Sequence, residues 1–200
     1  CSGSLTIKRA VYLLHERGKA MQESVPEGQG AMTAVLGMTM NEVEKEISLI
    51  RKEGTCEIAN DNSDGQVVVS GTKKIIDLLN ENLKKKNKRG IILPVSAPFH
   101  SSLMKKASES MKEKINDSDF LTPKPSIISN VTAREENNVN DIKSLLVEQI
   151  TSRVRWRESV NYMLNKGVKD FIEIGPGKVL SGLVKKINKN VKTSNINYIE

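Results

Sequence analysis

Aromatic side chains are scarce in this 200-residue chain: one Trp, three Tyr and three Phe, 4% of the total. A core for a chain of this length must therefore be built from Ile, Val, Leu and Met. The scarcity also weakens one binding function. Sheet-face recognition of RNA needs stacking aromatics on central strands, and the strand-like segments Cys56–Asn60 and Gln66–Ser70 contain none. Cysteine is limited to Cys1 and Cys56, with no Cys-x-x-Cys and no nearby histidine, so neither a disulfide framework nor a metal site is expected. Two reduced thiols of a cytoplasmic protein is the favoured reading, with a reactive Cys56 as the alternative. No apolar run is long enough to span a bilayer, and the first residues have no apolar leader core. The chain starts with Cys, not Met, which reads as part of something longer or as a processed product. Also missing are a Walker loop, a dinucleotide fingerprint, a histidine cluster and the Gly-x-Ser-x-Gly elbow that carries a nucleophilic serine.

The charge that is present is positive. Thirty-one Lys and Arg against 24 Asp and Glu give +7. Lysine runs at 84–89 and 185–192 fit helix C-termini, where cations oppose the dipole. A solvated surface explains them, and so does an anionic partner such as an acidic protein or a phosphorylated ligand.

The patterning is α/β. Thr6 is placed to cap a helix running to about Met21, with Ile7, Ala10, Val11, Leu14, Gly18 and Met21 as its apolar stripe and Arg17 at the stripe's edge. Residues 31–93 read as β-α-β-β-α-β, the ferredoxin-like order. Its last strand is the apolar run from Ile91 to Val95, expected to be fully buried. Thr72 is placed to cap the second helix of this unit. Beyond it come a helix to about Asn116, a strand at 126–131, a helix opened by Asp141, a helix at 157–165, a strand at 170–174, and a Gly175-Pro-Gly177 turn into a last helix. This alternation predicts a parallel sheet covered on both faces.

His100 is the strongest candidate for chemistry. It lies where the Ile91 strand gives way to the next helix, a usual location for reacting groups in α/β folds. A helix start there would keep its imidazole neutral and able to accept a proton. The competing reading is an idle loop histidine. His15, on the flank of its helix, reads as a surface residue. Arg17 at the edge of an apolar stripe needs an anion, either an internal carboxylate, which the sequence by itself slightly favours, or a ligand carboxylate held bidentately by the guanidinium. Glu173-Ile-Gly-Pro-Gly-Lys178 reads as a structural turn whose following helix start could face an anion.

Six segments add a resemblance. His15-Glu-Arg-Gly-Lys-Ala-Met-Gln22, Gly28-Gln-Gly-Ala-Met32, the stretch from Asn60 to Gly71, Leu93-Pro-Val-Ser-Ala-Pro-Phe-His100, Val154-Arg-Trp156 and Glu173-Ile-Gly-Pro-Gly-Lys-Val-Leu180 resemble, in order, the malonyl-CoA:acyl-carrier-protein transacylases of bacterial fatty-acid synthesis. The resemblance implies an α/β-hydrolase-like parallel-sheet core over 1–28 and 94–200, incomplete at its N-terminus, with a ferredoxin-like subdomain inserted at 29–93. It implies transfer of malonyl from malonyl-CoA to the phosphopantetheine thiol of acyl carrier protein through a serine ester, without cofactor or metal, by a cytoplasmic protein that is monomeric when complete.

By motif, the resemblance makes His100 the general base and Gln149 the residue whose backbone carbonyl orients it. It makes Arg17 the clamp on the malonyl carboxylate, replacing the internal salt bridge as the preferred reading. Asn60 and Asn62 fall where the family lines its coenzyme cleft, although they also fit as turn residues. Phe99, before the histidine, goes with malonyl selection in the wider family. The family's serine and oxyanion-hole glutamine would precede Cys1, so this chain alone is expected to be inactive. Two alternatives are an acyltransferase domain of a polyketide synthase and a non-catalytic basic ferredoxin-like binding module.

Overall fold

Thr6 opens the first helix, α1 (Ile7–Glu23), its hydroxyl accepting the Arg9 amide hydrogen at 3.2 Å. This computed structural model describes residues 1–197. The expected apolar stripe of α1 is buried only in part, at Met21 and partly at Ala10. Ile7, Val11 and Leu14 are exposed, Leu14 at 64%, whereas Leu13 at 8% and Met21 at 3% are packed. The buried stripe lies roughly a quarter-turn round the helix. There Ala10, Leu13, Arg17, Ala20 and Met21 follow one another, so Arg17 lies within the packed face instead of on its edge. The helix has two apolar faces, and periodicity alone did not tell them apart.

The next elements are β1 (Gly30–Leu36), α2 (Met40–Ile50), β2 (Cys56–Ser63), β3 (Gln66–Thr72), α3 (Lys73–Lys85) and β4 (Arg89–Ile92). They form one antiparallel sheet ordered β2-β3-β1-β4. Thr39 and Glu42 form a reciprocal capping box at the start of α2. Thr72 holds the N-cap position of α3, yet its side chain makes no capping hydrogen bond. Period-2 alternation gives the sheet two apolar faces. Val35, Val67 and Val69 meet Ile47 of α2 and Ile76 and Leu79 of α3. Met32, Ala34, Ala59 and Val68 on the other face meet Leu93 and Phe99, and this second contact seats the sheet against the segment leading to His100.

That segment departs from expectation. The strand ends at Ile92, and Ile91 and Ile92 are 37% and 47% exposed. Among the described residues β4 is an edge strand, bonded to β1 and with no neighbour on its other side. Burial begins instead at Ala97 and Pro98. Gly30 is required here, because a Cβ at that position would lie 2.2 Å from the Pro98 ring.

After His100 the chain makes a 3-10 turn (Ser102–Met104) and then α4 (Lys105–Asn116). Met104, Ala107, Met111 and Ile115 of this stretch pack against Leu13 and Met21 of α1 and against Ile150. The strand expected at 126–131 is reduced to β5 (Ile127–Ile128), paired antiparallel with β6 (Glu135–Glu136). Asn138, not Asp141, caps α5 (Val139–Glu148), accepting the Asn140 and Asp141 amide hydrogens. The remaining elements are α6 (Trp156–Asn165), β7 (Asp170–Ile174), α7 (Val179–Ile187) and β8 (Lys192–Ile196). The strand β8 was not foreseen. It pairs in parallel with β7, from Asp170–Lys192 to Ile174–Ile196. Among the described residues β7–β8 is the one parallel sheet. It is not covered on both faces: Ile172, Ile174 and Ile196 are exposed.

The start of α7 does face an anion, an internal one. Glu173 accepts the amide hydrogens of Leu180 and Ser181 and the Ser181 hydroxyl hydrogen, at 2.6–3.1 Å.

Candidate active site

His100 has φ of +56°, a left-handed conformation unusual for a residue with a Cβ. Strained backbone of this kind persists only where its surroundings hold it, and here several contacts do. The Ser101 hydroxyl donates to the Pro98 carbonyl at 2.6 Å within the core. The following turn closes with the Met104 amide on the Ser101 carbonyl. The expected placement at a helix start is corrected, since α4 begins only at Lys105.

The ring is oriented by the segment after α5. His100 Nδ1 lies 3.1 Å from the backbone carbonyl oxygen of Gln149. A carbonyl can only accept, so Nδ1 carries the proton and the lone pair of neutral imidazole sits on Nε2. Gln149 is fixed in turn by its own side chain, whose Nε2 donates to the Ser152 carbonyl at 3.0 Å. The His100 pKa is lowered from 6.5, first by burial of the ring and then by the Arg17 charge. The Gln149 and Ser152 carbonyls oppose the shift. The neutral form that can accept a proton therefore dominates at neutral pH. A helix N-terminus is not its cause.

Arg17 is half-buried, and burial lowers its pKa. Among the described residues no carboxylate pairs with it, although nine other ion-pair contacts are formed. The internal salt bridge is thus ruled out within 1–197. His15, two residues before it, is exposed.

The structure brings His100, Gln149 and Arg17 together. Asn60 is tied through its backbone to the segment after Gln149: it forms a parallel bridge with Val154, flanked by Asp61 N–H to the Val154 carbonyl and Val154 N–H to the Ala59 carbonyl. Register shifts in β2 fall between Ile58 and Asn60 and between Asp61 and Ser63, so bulges flank this bridge. Among the described residues, neither the Asn60 nor the Asn62 side chain hydrogen-bonds to His100, Gln149 or Arg17.

Sequence reasoning missed the ties that hold this assembly. Asp61, 1% exposed, accepts from Arg157 Nε and a terminal Arg157 nitrogen at 2.9–3.1 Å, and Arg157 also reaches Asp64 at 2.8 Å. Glu57 reaches the residue two places after His100. These partners are 96 and 45 residues apart in the chain, and no local pattern announces such pairs. Cys56 is buried and its thiol is pushed up to about 12, chiefly by desolvation, so it is not a reactive nucleophile. Among the described residues there is no cluster of metal-ligating side chains, and no helix is long and apolar enough to cross a membrane.

A half-buried, oriented, neutral imidazole beside a cation with no internal anion among the described residues defines a base next to a carboxylate-binding position. Residues 1–197 match the acyl transferase domain family, and the chain belongs to it. It is 47% identical over 194 residues to the malonyl CoA-acyl carrier protein transacylase of Bacillus subtilis strain 168, a match covering 96% of this chain and 61% of the relative. The solved malonyl CoA-acyl carrier protein transacylase of Clostridium perfringens superposes with a TM-score of 0.95 at 40% identity, over 99% of this chain and 63% of that one. A malonyl-transacylase solved in complex with a type II PKS acyl-carrier protein gives 0.95 at 34% identity, over 100% and 65%. The chain thus spans about three fifths of the length of these relatives.

Proposed function

We propose that this chain supplies the base and the acyl-carboxylate clamp for malonyl transfer from malonyl-CoA to the phosphopantetheine thiol of acyl carrier protein, in the cytoplasm. The observation that carries the reading is the junction of His100, held by the Gln149 carbonyl, with Arg17, which has no carboxylate partner among the described residues. A malonyl group offers a thioester to the first and a carboxylate to the second. Names of the relatives support the substrate pair. Residues 29–93 are read as a ferredoxin-like subdomain inserted in an α/β-hydrolase-like core made by 1–28 and 94–200, with Asn60 and Asn62 lining the cleft toward the coenzyme.

The chemistry needs a serine on an elbow motif absent from these 200 residues. As the serine Oγ bonds to the thioester carbon, His100 Nε2 takes its proton. The coenzyme sulfur departs with the bonding electrons and receives that proton from the imidazolium. In the second half-reaction His100 takes the proton of the carrier thiol as its sulfur bonds to the ester carbon, then returns it to the departing serine oxygen. Arg17 stays charged throughout and holds the carboxylate with two parallel hydrogen bonds.

The test is intact-mass analysis after incubation with malonyl-CoA. The 200-residue chain alone is expected to remain unmodified. Combined with the segment of the Bacillus subtilis relative that its match leaves uncovered, it is expected to support a malonyl ester on that segment and its transfer to carrier protein, both abolished by His100→Ala. A stable malonyl adduct on a serine of the 200-residue chain would overturn the reading. The solved complex with a polyketide carrier makes such a carrier the second acceptor to try.

A further inference from the structure

Glu57 projects from β2 across to the residues that follow His100. One carboxylate oxygen accepts the Ser102 backbone N–H at 2.8 Å and the other accepts the Ser102 hydroxyl hydrogen at 2.5 Å. Ser102 begins the 3-10 turn, where backbone N–H groups lack partners within the turn. No side chain of the turn's own N-cap, Ser101, fills that role: its hydroxyl points back to the Pro98 carbonyl. The turn is therefore capped from another element, by an anion anchored on a strand of the antiparallel sheet.

The neighbouring residue is His100, left-handed at +56°. Its backbone is fixed before the ring by Pro98 and Ala97, both buried, and after it by Ser101 and Ser102. Removing the Glu57 contacts frees the downstream end of that segment, while Gln149 holds only the ring.

We propose that Glu57 is a positioning residue for His100: by capping the Ser102 turn it keeps the imidazole in its left-handed, Gln149-bonded pose. Through β2 it also links that pose to the sheet, which presents Asn60 three residues further on. This inference rests on the reading of His100 as the base, but its test needs no turnover.

The chain has only two histidines, so imidazole nitrogen resonances of the uniformly labelled 200-residue chain resolve into His100 and the exposed His15. In the parent chain His100 is expected as the tautomer protonated on Nδ1, titrating below 6.5. Glu57→Ala is expected to move the His100 midpoint up toward 6.5 and to mix its tautomers. Glu57→Gln keeps one acceptor oxygen and Ser102→Ala keeps the backbone leg, so both fall between parent and Glu57→Ala.

A purely structural role would lower stability without this graded change at one ring. Identical His100 midpoints and tautomers in all four folded chains would overturn the proposal. If Glu57→Ala fails to fold, parent-like values in both milder variants overturn it equally. Failed malonyl transfer with the graded titration intact would sink the functional reading and leave the positioning role standing.

Discussion

Removing Arg157 should harm this fold far more than removing Asp61, although the two are partners in one ion pair. Asp61 is 1% exposed, and its carboxylate accepts three contacts from Arg157 at 2.9–3.1 Å. The Arg157 side chain is 29% exposed and has a second partner in Asp64, itself 86% exposed. In Arg157→Ala a buried carboxylate loses the one cation that pairs with it among the described residues, a situation that costs about 3–5 kcal/mol. In Asp61→Ala the guanidinium keeps water and Asp64, and the loss is about 1.5–3 kcal/mol, that of hydrogen bonds to a charged group. With a urea m-value of about 2–3 kcal/mol per molar, the midpoint falls by roughly 1–2.5 M for Arg157→Ala and by roughly 0.5–1.5 M for Asp61→Ala. The double variant should lose well less than the sum of the single losses, because it leaves no buried charge behind. Urea unfolding followed by circular dichroism measures all three. An Asp61→Ala loss equal to or larger than that of Arg157→Ala would refute the reasoning.

Neighbouring leucines on α1 should behave oppositely. Leu13→Ala, at 8% exposure, is expected to cost about 2–5 kcal/mol, whereas Leu14→Ala, at 64%, should stay within about 0.5 kcal/mol in the same unfolding assay. Stability should also fall on acidification through His100. Its folded pKa lies below 6.5, the ordinary value of an unfolded histidine, so the unfolded chain binds more protons in that interval. The contribution is fully present above 6.5 and is lost as pH drops through the folded pKa. His100→Gln should therefore flatten the stability–pH curve just below 6.5, and an unchanged slope would contradict the half-buried neutral ring.

Local chemistry was legible in the sequence where it is enough to decide the structure. The Thr6 cap, the β-α-β-β-α-β order over 30–92 and the turn at Gly175–Gly177 all follow from short-range patterns. What escaped depends on which surfaces meet. Two apolar faces on α1 gave the wrong buried stripe. The run Ile91–Val95 looked like a central strand because its composition is that of one, but it lies at the sheet edge and partly outside it. At the site, His100 and Arg17 stood out as a rare residue type and a misplaced charge. Gln149 acts through its backbone carbonyl, which no side-chain pattern encodes, so it came from resemblance. Glu57 and the Asp61–Arg157 pair are contacts between distant segments and left no local trace.

The central claim is that Arg17 holds the malonyl carboxylate while His100 moves the proton, and donor selectivity tests it most directly. In the chain combined with the uncovered segment of the Bacillus subtilis relative, transfer to carrier protein is compared for malonyl-CoA and acetyl-CoA. Acetyl has no carboxylate, so it leaves the half-buried cation unpaired, a mismatch that hydrogen-bonding sites reject by on the order of 10⁴-fold. Arg17→Ala should lower kcat/KM for malonyl-CoA by at least about a hundredfold, the scale of losing a bidentate charged contact, and leave acetyl transfer unchanged or raised. An equal loss for both donors would contradict the account.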